Sequence, residues 1–178
     1  MRLLLHSCCG PCTTFPLAFL ESQGHRVEGV FCNPNIYPQK EHDKRWQVFR
    51  DWAKIAGLSA KRLDMSYEQW KGSLGENLLK PQRCLECYRV RLGAVAEMAR
   101  REGFDCFSTT LLVSPYQDHE GIRAVMEEMS RKYGIPHLYR DFRPGYRRSR
   151  DMARGRHLYM QKYCGCQYSL GGEVVNGH

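Results

Sequence analysis

Seven of the nine cysteines in this chain stand in three tight groups, and their spacing points to metal or redox chemistry. The groups are Cys8-Cys9-Gly-Pro-Cys12 near the start, Cys84-Leu-Glu-Cys87 in the middle and Cys164-Gly-Cys166 near the end. Closely spaced cysteines let one short turn present several sulfurs to a single point, as a metal or iron–sulfur site requires. A fold that brings the three turns together would build one such centre.

The cysteine content argues against a disulfide-built secreted domain. Nine cysteines in 178 residues is roughly 5%, below the ~8–10% of such scaffolds. The leucine run at residues 3–5 is shorter than the ~7–15 apolar residues of a secretory signal, and nothing approaches a ~20-residue membrane span. We therefore expect a cytoplasmic protein whose reduced thiols bind metal or do redox work, with structural zinc as the alternative.

The positive charge is concentrated in one segment. The net charge is +8, and residues 140–162 hold eight Lys or Arg against two Asp. Phosphate neutralisation by such clusters supplies most sequence-independent affinity for nucleic acid. Because the segment leads directly into Cys164, we expect it to bind nucleic acid. The candidate phosphate contacts are Arg147, Arg148, Arg150, Arg154 and Arg156.

Alternating strand and helix patterns must position the cysteine turns. An apolar strand over residues 2–6 runs directly into Cys8, and Pro11 suits the first turn of a helix over residues 12–22. Hydrophobic periodicity predicts further strands over residues 26–32, 60–63, 104–112 and 136–139. It predicts helices over residues 38–57, 84–101 and 120–133, followed by a basic helix.

This alternation predicts a single-domain α/β fold, with a parallel sheet and helices on both faces. We assign it to residues 1–170 and expect a loose tail over residues 171–178. Such sheets bind ligands beyond the carboxyl ends of their strands. The first cysteine group occupies the place where nucleotide-binding proteins of this architecture carry a glycine-rich phosphate loop, and the chain contains neither a Walker loop nor a dinucleotide fingerprint.

Four ordered segments together resemble the QueH-type epoxyqueuosine reductases. They are residues 5–12 (LHSCCGPC), 83–87 (RCLEC), 108–115 (STTLLVSP) and 161–169 (QKYCGCQYS). The resemblance covers essentially residues 1–170. It implies a HUP-like fold, of the adenine nucleotide alpha-hydrolase-like class. It also implies reduction of epoxyqueuosine to queuosine at the tRNA wobble position without cobalamin.

The resemblance further implies roles for the cysteines. Cys8, Cys9, Cys84 and Cys87 would ligate a [4Fe–4S] cluster. Cys164 and Cys166 would form a redox-active pair or, with Cys12, ligate an additional mononuclear iron; the residues alone leave both roles open. The expected partners are tRNA carrying epoxyqueuosine and an unidentified electron donor, because a cluster passes one electron at a time and removal of an epoxide oxygen needs two.

Other residues have weaker assignments. Candidate proton donors by residue type are His6, Asp64, Asp118 and His119. Candidate stacking partners for RNA bases are Tyr116, Tyr146, Tyr159 and Tyr163. Cys32 and Cys106 fit buried strand positions better than ligand positions.

Two other functions use the same features. An ATP-dependent tRNA sulfur-transfer enzyme of this fold would carry a Ser-Gly-Gly-type loop after the first strand, where residues 6–12 stand instead. A zinc-binding RNA module without catalysis would be colourless, unlike an iron–sulfur protein.

Overall fold

Four parallel strands form one sheet in the order β3-β2-β1-β4, in a computed structural model that describes residues 1–170. The strands are β1 (Arg2–His6), β2 (Arg26–Phe31), β3 (Ser59–Arg62) and β4 (Cys106–Thr109). The helices are α1 (Gly10–Ser22), α2 (Gln39–Ala56), α3 (Tyr67–Ser73), α4 (Gln82–Arg101), α5 (His119–Tyr133) and α6 (Tyr146–Gly155). The predicted parallel α/β fold is confirmed.

Strand β1 lies at the centre of the sheet, and its three middle side chains are apolar. Leu3, Leu4 and Leu5 are fully buried. The strand pairs on both edges, with Leu3 opposite Val27 of β2 on one side and opposite Cys106 of β4 on the other. A continuous apolar run is typical of a strand in a parallel sheet that is covered on both faces.

The order of the strands fixes which face each helix covers. The chain moves from β1 through α1 to β2 and through α2 to β3, and then returns through α4 to β4 on the far side of β1. Because such crossovers are almost always right-handed, the reversal places α4 on the face opposite α1 and α2. Contacts agree with this, since α1 packs against α2 and α6, whereas α4 packs against α5.

The strand order also fixes where a ligand can bind. The connections from β1 and β4 diverge at their carboxyl ends, which is the switch point where open parallel sheets form a crevice. Cys8 follows β1 there, and Thr110 follows β4. Cys8 N–H donates to Thr110 Oγ1 at 3.0 Å, which ties the two strand ends together.

Two predicted strands are shorter in the structure. The strand predicted over residues 104–112 ends at Thr109, because the Thr109 side chain accepts from Leu111 N–H and starts a 3-10 turn over Thr110–Val113. The strand predicted over residues 136–139 is reduced to one parallel bridge between Phe107 and His137. The predicted tail, residues 171–178, lies outside the described residues. Among residues 1–170, no helix is long and apolar enough to cross a membrane.

Candidate metal centre and substrate cavity

The first cysteine group forms a tight thiol triad at the N-terminus of α1. The Sγ atoms of Cys8, Cys9 and Cys12 all lie within 4.8 Å of one another. Cys9 is the N-cap residue of the helix, and its Sγ accepts from Cys12 N–H at 3.3 Å. Unpaired N–H groups and the helix dipole favour negative charge at this position, which suits thiolates and metal–thiolate centres.

The pKa values of the three thiols in the triad are shifted in different directions. Hydrogen bonds from Cys12 and Cys9, aided by Thr110 and the positive charge of Arg91, hold the pKa of Cys8 well below its usual range. Burial raises the pKa of Cys9, and the hydrogen bond with Cys8 raises that of Cys12. A lowered thiol pKa favours binding of a cation, because a ligating thiol must lose its proton.

The other two cysteine groups lie near each other. Cys84 and Cys87 are on one face of the first turns of α4, and Cys87 is buried. Burial, together with the charges of Cys164 and Cys87, raises the pKa of Cys84 to about 11. Interaction with the Cys166 thiol lowers the pKa of Cys164 to about 6. Cys164 is exposed and Cys166 is buried.

Arg91 links the triad to these four thiols. Its side chain is buried, and Nη1 lies 4.0 Å from Cys87 Sγ. Cys87, Cys8 and Cys164 each stabilise its charge. Within residues 1–170 no salt bridge joins Arg91 to a carboxylate. A buried cation needs a compensating charge, so all three cysteine groups surround a position built to hold negative charge. A metal–thiolate centre fits these residues.

The structure does not gather the four predicted cluster ligands as closely as the triad. Among the described residues, the triad is the one group of three Cys, His, Asp or Glu ligand atoms within 4.8 Å. Neither Cys84 nor Cys87 joins Cys8 and Cys9 in a group whose Sγ atoms all lie within that distance of one another. Ligands of a four-iron cluster each bind a different iron, so they stand further apart than ligands of one ion.

Arg45 of α2 holds the Cys164 segment in place. Its guanidinium donates to Tyr163 O at 3.1 Å and to Cys164 O at 3.2 Å, and Nε pairs with Glu41 at 2.7 Å. Gly165 follows with φ of +124°, a conformation that favours glycine. This role of Arg45 could not be predicted from the sequence, because the two segments lie far apart along the chain.

A cavity of about 110 Å³ opens between the triad and the Cys164 segment. Cys12 and Cys164 line it, with Gln161 between them. Gln161 Nε2 donates to Cys9 Sγ at 2.8 Å, whereas Gln161 Oε1 is buried with no hydrogen-bond partner in the described part of the chain. Three of the four tyrosines predicted to stack on bases, Tyr116, Tyr146 and Tyr163, also line the cavity.

Tyr159 and the four predicted proton donors lie elsewhere. Tyr159 OH donates to Glu41. His6 is buried, with Nδ1 2.8 Å from Thr109 Oγ1 and Nε2 3.1 Å from Cys32 O, and desolvation lowers its pKa to about 3. His119 Nε2 bonds to Ser114 O, Asp118 caps α5, and Asp64 pairs with Arg62. These four residues therefore have structural partners, and none of them lines the cavity.

The basic helix α6 docks beside the triad. Ser149 Oγ donates to Pro11 O at 2.8 Å and lies 3.0 Å from Thr14 Oγ1, which joins α6 to α1. Arg150 lines the cavity, while Arg147, Arg148, Arg154 and Arg156 are exposed. The predicted basic segment thus lies at the entrance of the cysteine site. Cys32 and Cys106 are buried at the sheet, as predicted.

Two solved structures share the fold of this chain. A predicted subunit of tRNA methyltransferase from Methanocaldococcus jannaschii superposes with a TM-score of 0.60 over 86% of this chain and 74% of its own, at 12% identity. The U34-tRNA thiolase NcsA from Methanococcus maripaludis, solved with its [4Fe–4S] cluster, superposes with a TM-score of 0.62 over 95% of this chain and 61% of its own, at 13% identity. At these identities the likeness concerns the fold.

Sequence comparison identifies the family. The family model described as "Epoxyqueuosine reductase QueH" matches residues 3–171. The epoxyqueuosine reductase QueH of Dehalococcoides mccartyi is 33% identical over 94% of this chain and 92% of its own length. The protein of the same name from Thermotoga maritima is 31% identical over 94% and 90%. The chain therefore belongs to the QueH family of epoxyqueuosine reductases, which are oxidoreductases.

Proposed function

We propose that this protein reduces epoxyqueuosine to queuosine in tRNA at an iron–sulfur centre bound by the clustered cysteines. The observation that carries the proposal is the cavity whose wall contains Cys12 and Cys164, residues from two different cysteine groups. A substrate in this cavity would lie against the thiol triad on one side and the Cys164–Cys166 pair on the other.

The reaction determines what the site must provide. Two C–O bonds of the epoxide break, a C=C bond forms, and the oxygen leaves as water after gaining two electrons and two protons. When bound, an iron–sulfur centre supplies electrons one at a time, and an open-coordinate iron supplies a Lewis acid for the oxygen. An external one-electron donor supplies the second of the two electrons, and this donor is a further partner of the protein.

We assign the ligands as the family resemblance implies. Cys8, Cys9, Cys84 and Cys87 would hold the [4Fe–4S] cluster, with Arg91 providing the buried positive charge between Cys8 and Cys87. Cys12, Cys164 and Cys166 remain for a second iron or a redox-active thiol pair. The close spacing within the triad supports Cys12 as part of the metal site.

Cavity residues would orient the substrate. The unpaired Gln161 Oε1 can accept a hydrogen bond from a substrate hydroxyl, and its Nε2 remains bound to Cys9. Lys162 lines the same cavity, where its side chain would donate a proton to the departing oxygen. The arginines of α6 would hold the phosphates of the anticodon arm beside the cavity. A cytoplasmic location stays a prediction.

Anaerobic purification tests the proposal directly. We expect a brown protein with about four iron and four sulfide per chain, with up to one further iron. EPR of the reduced protein should show the cluster, and incubation with epoxyqueuosine tRNA and a chemical reductant should yield queuosine by nucleoside mass spectrometry. A colourless protein that contains zinc and converts no tRNA would contradict the proposal and favour the zinc-binding module.

A further inference from the structure

A second, wider groove adjoins the cavity and shares part of its wall. Its volume is about 430 Å³, against about 110 Å³ for the cavity itself. Tyr116, Tyr146 and Arg150 line both spaces. Whatever occupies the groove is therefore in direct contact with residues that also contact the contents of the cavity.

The shared wall is aromatic. Tyr116 and Tyr146 pack edge to face, with ring centroids 6.0 Å apart and planes at 83°. Tyr116 is 41% exposed, so its ring is open to a ligand from the solvent side. An exposed aromatic ring next to cationic groups is the usual platform for an unpaired nucleic-acid base, because every base has a π face.

Three of the α6 arginines face this groove. Arg147, Arg150 and Arg154 line it, together with Asp151, which pairs with Arg154 at 3.2 Å. Arg150 Nη1 lies 3.4 Å from Tyr146 OH. The groove thus combines an aromatic platform with three cations against one carboxylate.

The other two predicted arginines do not line the groove. The Arg148 guanidinium lies 5.9 Å from the centre of the Phe15 ring of α1, and Arg156 Nη1 donates to Met152 O at 3.4 Å. The five arginines predicted to contact phosphate therefore divide into two sets, three at the groove and two away from it.

We propose that the groove is a subsite for the nucleotide next to the modified one, with its base on Tyr116 and its phosphates on Arg147 and Arg154. Arg150 then contacts the phosphate that joins the two nucleotides. The cavity is too small for more than part of one nucleotide, since ligand sites usually measure ~300–1,000 Å³, so the neighbouring nucleotide must lie outside it. This inference rests on the proposed action on tRNA.

The test uses an anticodon stem–loop RNA and two charge-matched pairs of substitutions in the same basic segment. Arg147→Glu with Arg154→Glu removes two groove cations, and Arg148→Glu with Arg156→Glu makes the same charge change away from the groove. We expect the first pair to weaken binding at least tenfold more than the second. Its salt slope of log K should be shallower by about 1.4, because each single-strand phosphate contact contributes about 0.7.

A base-stacking probe examines the aromatic platform separately. 2-Aminopurine is placed in turn on each side of the wobble nucleotide, and its fluorescence should fall at one of the two positions when wild-type protein binds. Tyr116→Ala should abolish the quenching and weaken binding by roughly 5- to 100-fold, as loss of one stacked base does. Tyr116→Phe keeps the ring and should retain the quenching. Thermal unfolding of each variant checks that it is folded.

Equal weakening by the two arginine pairs, or unchanged quenching with Tyr116→Ala, would overturn the subsite. In either case, wild-type conversion of epoxyqueuosine tRNA would leave the proposed function standing. If wild-type protein neither binds the stem–loop nor converts tRNA, the proposed function itself fails.

Discussion

Replacing the buried Arg91 by Met should lower the reduction potential of the iron–sulfur centre. Reduction adds one negative charge, and a charge 4.0 Å from the guanidinium, the distance to Cys87 Sγ, gains about 4 kcal/mol at an effective dielectric of about 20. Because the added electron spreads over the centre, we expect roughly half of this effect. About 2 kcal/mol corresponds to about 90 mV for a one-electron couple.

The potential is measured by anaerobic redox titration with EPR detection of the reduced centre. Arg91→Lys is the matched control, because it keeps the charge while losing the planar fork, and it should shift the potential by less than half as much as Arg91→Met. Met also removes the hydrogen bonds to Asn33 and Cys32 O, so iron content and the free energy of unfolding are measured beside the potential. A fully loaded Arg91→Met protein with the wild-type potential would refute the electrostatic role.

Three further predictions concern the cysteines and the Cys164 segment. In metal-free, reduced protein Cys164 should be alkylated fastest of all the cysteines, because it is exposed and its pKa is about 6. The alkylation rate should rise through pH 6 and level off above it, and Cys166→Ala should move the midpoint of this rise to higher pH. Peptide-resolved mass spectrometry measures the rate at each cysteine. Gly165→Ala should strain the loop by about 1–3 kcal/mol, because the backbone has φ of +124° and the new Cβ would lie 3.2 Å from Arg45 Nη1; urea unfolding measures this cost, and a wild-type midpoint would contradict it. Cys84→Ala should lose most of the cluster absorbance near ~400 nm, and full retention of that absorbance would remove this residue from the ligand set.

Local patterns predicted the elements that carry the cysteine site. The apolar run of β1 and the Pro11 helix start placed Cys8 at a strand end, and the structure has α1 beginning at Gly10. The helix α3 was not predicted, although Ser66 and Gln69 form a capping box and Trp70 is buried. That signal was present, but a seven-residue helix gives too short a periodic pattern to recognise.

Contacts between residues far apart along the chain could not be predicted from the sequence. The i, i+3, i+7 spacing of Cys84, Cys87 and Arg91 could have shown that the arginine shares a helix face with the thiols. Nothing local indicated that Arg45 would hold the Cys164 segment or that Gln161 would bond to Cys9. Such pairings depend on the tertiary packing of α2 and of the C-terminal segment, so only the folded chain reveals them.

The two sides of the site are anchored with very different strength, and this bears on how metal enters. The triad follows β1, whose backbone is hydrogen-bonded along both edges. Exchange of the β1 amide protons with solvent therefore requires opening of the sheet itself. The Cys164 segment belongs to no strand. It is held by Arg45, by the Tyr37 N–H bond to Gly165 O, by the Tyr163 OH bond to Tyr37 O, by the Gln161 bond to Cys9 Sγ and by packing of Cys166 beside Trp70 and Leu74. None of these contacts belongs to the hydrogen-bond ladder of the sheet, so we expect the segment to open before the sheet does. If the proposed function is correct, iron should be loaded or lost through this local opening, without unfolding of the protein.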